Sequence, residues 1–138
     1  MTQSFTGGCA CGAIRFECSV EPLVVFNCHC RDCQKATGAA FVTAIAIPTA
    51  ALKMAGDPKY HSVDIEGGSS MSRGFCPECG THLFARTSSR GDAMGIHLAT
   101  LDEPQRYRPT MDIWTASAQP WDYMNPELPK FPKAPPPH

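Results

Sequence analysis

Cys76-Pro77-Glu78-Cys79-Gly80 is the stretch on which the fold turns. Two thiols three residues apart, with proline between and glycine after, form a zinc knuckle. Such a turn aims backbone N–H groups at the sulfurs, and glycine accepts the positive φ it needs. A redox pair of the same spacing usually opens a helix. Here the strand-like residues 81–86 follow instead, so the spacing predicts a metal knuckle. The knuckle offers two ligands, and a closed structural zinc site needs four.

Working outward, Cys9-Ala10-Cys11 is too short for the same turn, but Gly7, Gly8 and Gly12 give the backbone freedom to bring both thiols to one metal. This pair joins most economically with Cys76 and Cys79. The predicted site ties the N-terminal strand to a hairpin roughly 65 residues later. Between the two pairs lies Cys28-His29-Cys30-Arg31-Asp32-Cys33, three thiols at the start of a short helix, where the helix N-terminus favours thiolate. Seven of the eight cysteines therefore fall in a 2 + 3 + 2 pattern. Two pairs close one site, and a triplet leaves a second site open, as catalytic zinc sites are. The sequence thus predicts two zinc ions per chain, the second in an incomplete site open to partial occupancy. His29 sits between two ligands in extended backbone, where successive side chains point apart, so it is expected to face away from the metal. The candidates for the fourth position are His61, His82 or His97, which would close the site, and water or substrate, which would leave it open. Cys18 alternates with Ile14 and Phe16 and reads as a buried, inert thiol.

The chain has 138 residues, 43% apolar and 18% charged, with a formal net charge of −1. That suits one domain with one core and excludes the basic face of a nucleic-acid binder. Residues 1–8 lack the basic and apolar regions of a signal peptide. The longest apolar stretch, residues 38–47, is too short to span a bilayer. The expectation is a soluble, cytoplasmic protein without membrane partners. In a reducing compartment clustered cysteines are more often metal ligands than disulfides.

Between the cysteines, short strand-like runs alternate with Gly, Pro and polar turns. Residues 13–18 alternate, with Ile14, Phe16 and Cys18 on one face and Arg15 and Glu17 on the other. Residues 23–26, 39–47, 59–65, 70–75, 82–86 and 93–99 complete the strand set. One helix is expected, over residues 31–37, stopped by Gly38. The fold class is mainly β with little helix, in a single domain over residues 1–124. Residues 125–138 contain six prolines in fourteen positions and read as an extended surface tail or a disordered end. His138 carries no signal.

Three thiolates bring a zinc site to a net charge of about −1, which weakens its Lewis acidity and disfavours water activation. Such a site suits a soft fourth ligand, an incoming thiol that is deprotonated on binding and can attack an aldehyde. Arg31 and Lys35 follow the triplet and Arg73 precedes the knuckle. They either bind substrate carboxylates or offset the thiolate charge.

The same residues carry a family resemblance. Gly8-Cys9-x-Cys11-Gly12, Cys28-His29-Cys30-Arg31-Asp32-Cys33-Gln34-Lys35-x-x-Gly38 and Phe75-Cys76-Pro77-x-Cys79-Gly80 resemble the glutathione-dependent formaldehyde-activating enzyme family, also called the centromere-protein-V-type domain. Leu101-Asp102-Glu103-Pro104, the Trp114…Ser117…Pro120-Trp121 stretch and Leu128-Pro129-Lys130-Phe131 look like its later signatures. The resemblance implies an Mss4-like fold of zinc-clasped β-sheets. It implies a structural zinc on Cys9, Cys11, Cys76 and Cys79 and a second zinc on Cys28, Cys30 and Cys33. The implied activity is carbon–sulfur lyase chemistry run in reverse, joining glutathione to formaldehyde. Asp112 stands where family members often carry His, which puts substrate preference in question. A non-catalytic zinc module, or a metal or redox sensor, is the alternative to an enzyme acting on a small-molecule thiol and aldehyde.

Overall fold

The computed structural model describes residues 4–135, so His138 and the last two prolines fall outside the described residues. The alternation read near the N-terminus becomes strand β2 (Arg15–Cys18), with Phe16 and Cys18 buried and Arg15 and Glu17 exposed. Antiparallel partners on either side, β1 (Phe5–Gly8) and β5 (Leu52–Ala55), complete a three-stranded sheet.

A second sheet has seven strands in the order β10-β3-β4-β9-β8-β7-β6. These are β3 (Val24–Cys28), β4 (Val42–Pro48), β6 (Lys59–Asp64), β7 (Ser70–Phe75), β8 (His82–Thr87), β9 (Ala93–His97) and β10 (Asp112–Ile113). All neighbours are antiparallel except β10 and β3, which run parallel. The chain is mainly β, as its sequence predicts. One α-helix is present among the described residues, α1 (Arg31–Thr37), and Gly38 ends it in the left-handed conformation at φ 71°. A side chain there would be strained, which is why glycine stops the helix at this point.

The core lies where one face of the large sheet meets the small sheet. Ile45 and Ile47 of β4, Met94 and Ile96 of β9 and Phe84 of β8 meet Phe5, Ile14 and Phe16. Phe16 and Phe84 pack edge-to-face with centroids 5.6 Å apart, a geometry favoured by the ring quadrupoles. Cys18 is fully buried in this cluster, consistent with an inert thiol. The opposite face of the large sheet carries Ala44, Ala46, Gly95 and Ala85 in register. This face also carries the site described below. No helix among the described residues is long and apolar enough to cross a membrane.

Several boundaries move. Residues 39–41 do not join β4, and residues 98 and 99 leave β9 for a 3-10 turn over Leu98–Thr100. β3 continues to Cys28, so the first thiol of the triplet is held by a strand. Residues 128–133 run beside β10: Asp112 N–H donates to the Pro129 carbonyl, Phe131 N–H to the Asp112 carbonyl and Trp114 N–H to the Lys133 carbonyl. Proline lacks an N–H but keeps its carbonyl as an acceptor, so the proline-rich segment docks through its carbonyls and the Phe131 N–H without being a full strand.

Candidate metal centres and the adjoining cavity

The knuckle closes through local backbone bonds. Gly80 N–H donates to the Cys76 carbonyl at 2.8 Å and Cys76 N–H donates to the Thr81 carbonyl at 2.9 Å. Gly80 adopts φ 80°, the conformation expected of it from sequence. The N-terminal pair is held likewise, with Ile14 N–H donating to Cys9 Sγ at 3.3 Å. Ala10 N–H donates to Thr81 Oγ1 at 3.1 Å and joins the two loops. The sulfurs of Cys9, Cys11, Cys76 and Cys79 lie within 4.8 Å of one another. Cys9 and Cys11 are 3.6 Å apart, and Cys11 and Cys76 are 3.8 Å apart. Four sulfurs at about 2.3 Å from one ion, arranged as a tetrahedron, stand about 3.8 Å from each other. The donor set and its spacing fit a four-thiolate metal. None of the eight cysteines is joined in a disulfide. Hydrogen bonding to the Thr81 hydroxyl and N–H holds the Cys79 thiol down at about 5, the form a metal takes.

Cys28, Cys30 and Cys33 also bring their sulfurs within 4.8 Å of one another. Cys30 caps α1: its sulfur accepts the Cys33 N–H at 3.2 Å. Cys30 is pushed down by hydrogen bonds from Cys28 and then Cys33, while the same contacts push Cys28 up. Arg73 of β7 reaches over from the sheet, its Nη2 3.6 Å from Cys33 Sγ and 4.0 Å from Cys30 Sγ. Among the described residues no His, Asp or Glu joins this group. His61, His82 and His97 lie outside it.

His29 faces away from the sulfurs and is buried, 1% exposed. Its Nε2 meets Asp112 Oδ1 at 2.9 Å and its Nδ1 meets Asp122 Oδ2 at 2.5 Å. Asp112, also 1% exposed, further accepts from Lys130 Nζ at 3.0 Å and from Asn27 Nδ2 at 3.1 Å. Burial raises the Asp112 pKa and the bonds from His29, Lys130 and Asn27 overcome it, so its carboxyl lies below the usual range. Gln34 completes the clamp, donating to the His29 carbonyl at 2.8 Å and the Ser117 carbonyl at 3.0 Å. The loop that carries the triplet is thus held by residues 112–130. Asp112 belongs to this buried clamp and does not line the cavity beside the sulfurs.

That cavity, about 440 Å³, is lined by Ala36, Lys59, Tyr60, His61, Arg73, Phe75 and His82. Of the basic residues singled out in the sequence, Arg73 is there. Arg31 instead donates to Gln34 Oε1 at 2.6 Å, and Lys35 is exposed on α1. Lys59, Tyr60 and Phe75 escaped the sequence reading. For Lys59 and Phe75 the signal is strand alternation: Lys59 pairs with Phe75 and His61 with Arg73, which puts all four on the face that carries the triplet, whereas Tyr60 occupies the alternate position opposite Gly74. His82 stacks between Phe75 and His97, with centroids 5.6 Å and 6.4 Å away. Burial, then the nearby His82 and Arg73, push His97 down to about 4, so it is neutral at pH 7. Tyr60 lies across Gly74, where a Cβ would come within 2.7 Å of its ring. Only glycine lets that ring take its place on the strand.

The family profile described as "Glutathione-dependent formaldehyde-activating enzyme" matches residues 4–117. The chain belongs to this family. A curated Phaeosphaeria nodorum protein described by the same family name is 34% identical over 90 residues, 61% of this chain and 46% of its own length. A Penicillium rubens protein of the same description is 30% identical over 108 residues, 72% of this chain and 56% of its own. The chain spans about half the length of these curated relatives. A crystal structure of a Rhodobacter sphaeroides protein matches at a TM-score of 0.58 and 20% identity, covering 91% of this chain and 98% of that one. This last likeness concerns the fold. Asp122 and Lys130, which bind His29 and Asp112, lie beyond the residues the family profile matches.

Proposed function

We propose that this chain is a zinc-dependent carbon–sulfur lyase-like enzyme that adds a glutathione-like thiol to a small aldehyde such as formaldehyde. The observation that carries the reading is the triplet: three sulfurs within 4.8 Å and, among the described residues, no fourth protein ligand beside them. A zinc ion there would hold the substrate sulfur as a thiolate at neutral pH, and three protein thiolates would keep that sulfur nucleophilic. Arg73 offsets part of the negative charge from beside Cys30 and Cys33. The cavity that Arg73 shares gives room for the body of the thiol. The reaction forms a bond from sulfur to the carbonyl carbon and moves one proton from the thiol to the carbonyl oxygen. The clasp of Cys9, Cys11, Cys76 and Cys79 is a structural zinc site in this account. Cysteines without disulfides suit a cytoplasmic, reducing setting. The family and the names of the fungal relatives support glutathione and formaldehyde as the substrate pair.

A non-catalytic module needs a closed second site, and the three-sulfur group speaks against it. The test is consumption of formaldehyde by zinc-loaded protein with glutathione, measured above the spontaneous reaction. The wild type is expected to accelerate the addition, and Cys30→Ser to fall to background with its fold intact. Equal rates in the two proteins, or none above background in the wild type, would overturn the reading.

A further inference from the structure

Attack of a sulfur on an aldehyde puts growing negative charge on the carbonyl oxygen, and a fixed hydrogen-bond donor there lowers the barrier. The register of β8 supplies a candidate. Phe84 pairs with Gly74 and faces the core, so unbroken alternation would send His82, two residues earlier, to the core face as well. The register shifts between Gly74 and Phe75, and His82 pairs with Phe75 instead. The extra residue is Leu83, which is fully buried. A bulge of this kind re-aims a side chain, and here it turns His82 to the face of Arg73 and Phe75, where it lines the cavity. The ring is held between those of Phe75 and His97. Its Nδ1 is, among the described residues, the one buried side-chain nitrogen or oxygen without a hydrogen-bond partner. Its Nε2 makes no hydrogen bond to the described residues and is the nitrogen left open to the cavity. A proton on Nδ1 would be a buried donor without an acceptor, which costs more than a bare lone pair, so the neutral ring carries its proton on Nε2.

We propose that His82 is a catalytic residue that presents its Nε2–H to the aldehyde oxygen and stabilises the charge that forms there. The proposal rests on the thiol-addition reading given above and adds the group that acts on the aldehyde. The thiol proton leaves to water as the sulfur binds. The carbon–sulfur bond forms as the carbon–oxygen double bond becomes single, the oxygen takes a proton from water, and His82 keeps its own. Arg73 lines the same cavity and reaches the sulfurs of Cys30 and Cys33, so the donor and the reacting sulfur share one space. A donor fixed before the reaction needs no rearrangement when the charge appears. His61 lines the cavity too, but from the exposed edge strand β6, and is the rival donor.

The test follows formaldehyde addition at saturating glutathione by the zinc-loaded full chain of the wild type, His82→Phe, His82→Gln and His61→Gln. Phenylalanine keeps the ring stack and removes the unpaired nitrogen, so His82→Phe is expected to melt no lower than the wild type. Its kcat is expected to fall about 10²–10³-fold, the scale of one lost oxyanion donor, with glutathione affinity within about threefold of the wild type. His82→Gln, which restores an N–H donor, is expected to recover about tenfold of that loss. Nitrogen-15 NMR of the wild type is expected to show the Nε2–H tautomer at His82. A kcat of His82→Phe within about threefold of the wild type, an Nδ1–H tautomer, or a larger loss in His61→Gln overturns the role of His82 and leaves thiol addition in place. A loss of glutathione affinity that matches the loss of kcat also overturns it, by making His82 a binding residue. A wild type that does not accelerate the addition removes both readings.

Discussion

Cys76→Ser is expected to abolish the cooperative thermal transition of this protein and to send it into aggregates. Cys76 is fully buried and stands at the turn between β7 and β8. Its sulfur is 3.8 Å from that of Cys11, which belongs to the loop between β1 and β2. The four thiols therefore fasten the small sheet to one end of the large one. A structural zinc contributes about 10–16 kcal/mol of apparent binding energy in small domains, against a total stability of about 5–15 kcal/mol. A serine oxygen in place of one sulfur forfeits most of that, which leaves the apolar packing between the sheets to hold them without the clasp. Thermal melting followed by circular dichroism checks the point. A wild-type melting temperature in Cys76→Ser would show that the clasp is not what holds the sheets.

His29→Leu is expected to cost about 3–5 kcal/mol and to empty the second metal site while the clasp stays loaded. The imidazole stands between Asp112 and Asp122, and all three side chains are 1% exposed. Removing it leaves two buried carboxylates facing an apolar side chain, with Lys130 reaching only Asp112. Breaking such a buried pair is far more costly than never having built it. Because His29 lies between Cys28 and Cys30, the strained loop also spreads the sulfurs of the triplet. Metal analysis is expected to fall from two ions per chain to one. The combined variant His29→Leu, Asp112→Asn, Asp122→Asn, which removes the stranded charges, should recover part of the stability. No recovery would mean that the carboxylates are not the source of the cost.

Much of this was readable before any coordinate. The clasp was legible because ligand spacing and glycine placement are local: Cys76, Cys79 and Gly80 sit within five residues, and Gly80 takes the positive φ its place demands. Helix α1 ends at Gly38 for the same reason. Strand β2 showed itself by strict alternation. β1 did not, because half of Phe5-Thr6-Gly7-Gly8 is glycine. β5 did not, because it has no buried face to alternate. β10 is two residues long and is a strand only by virtue of its neighbour β3. The clamp on His29 joins residues 83 and 93 apart in sequence, and no local pattern announces such contacts. Position 112 drew attention in the sequence as a departure bearing on substrate. Its carboxylate instead holds the triplet from behind, paired with Lys130 of the proline-rich segment. The cavity was hidden one step less deeply: once β6 and β7 are paired, period-two alternation alone selects Lys59, His61, Arg73 and Phe75.

The central claim is that the triplet is an open three-sulfur site completed by a substrate thiol. Cobalt substituted for zinc reports it directly, because sulfur-to-cobalt charge-transfer absorption grows with each thiolate bound. The account predicts that adding millimolar glutathione to the cobalt-loaded wild type raises this absorption, and that the rise is absent in Cys30→Ser. A spectrum that glutathione leaves unchanged in the wild type, with both sites loaded, would contradict it.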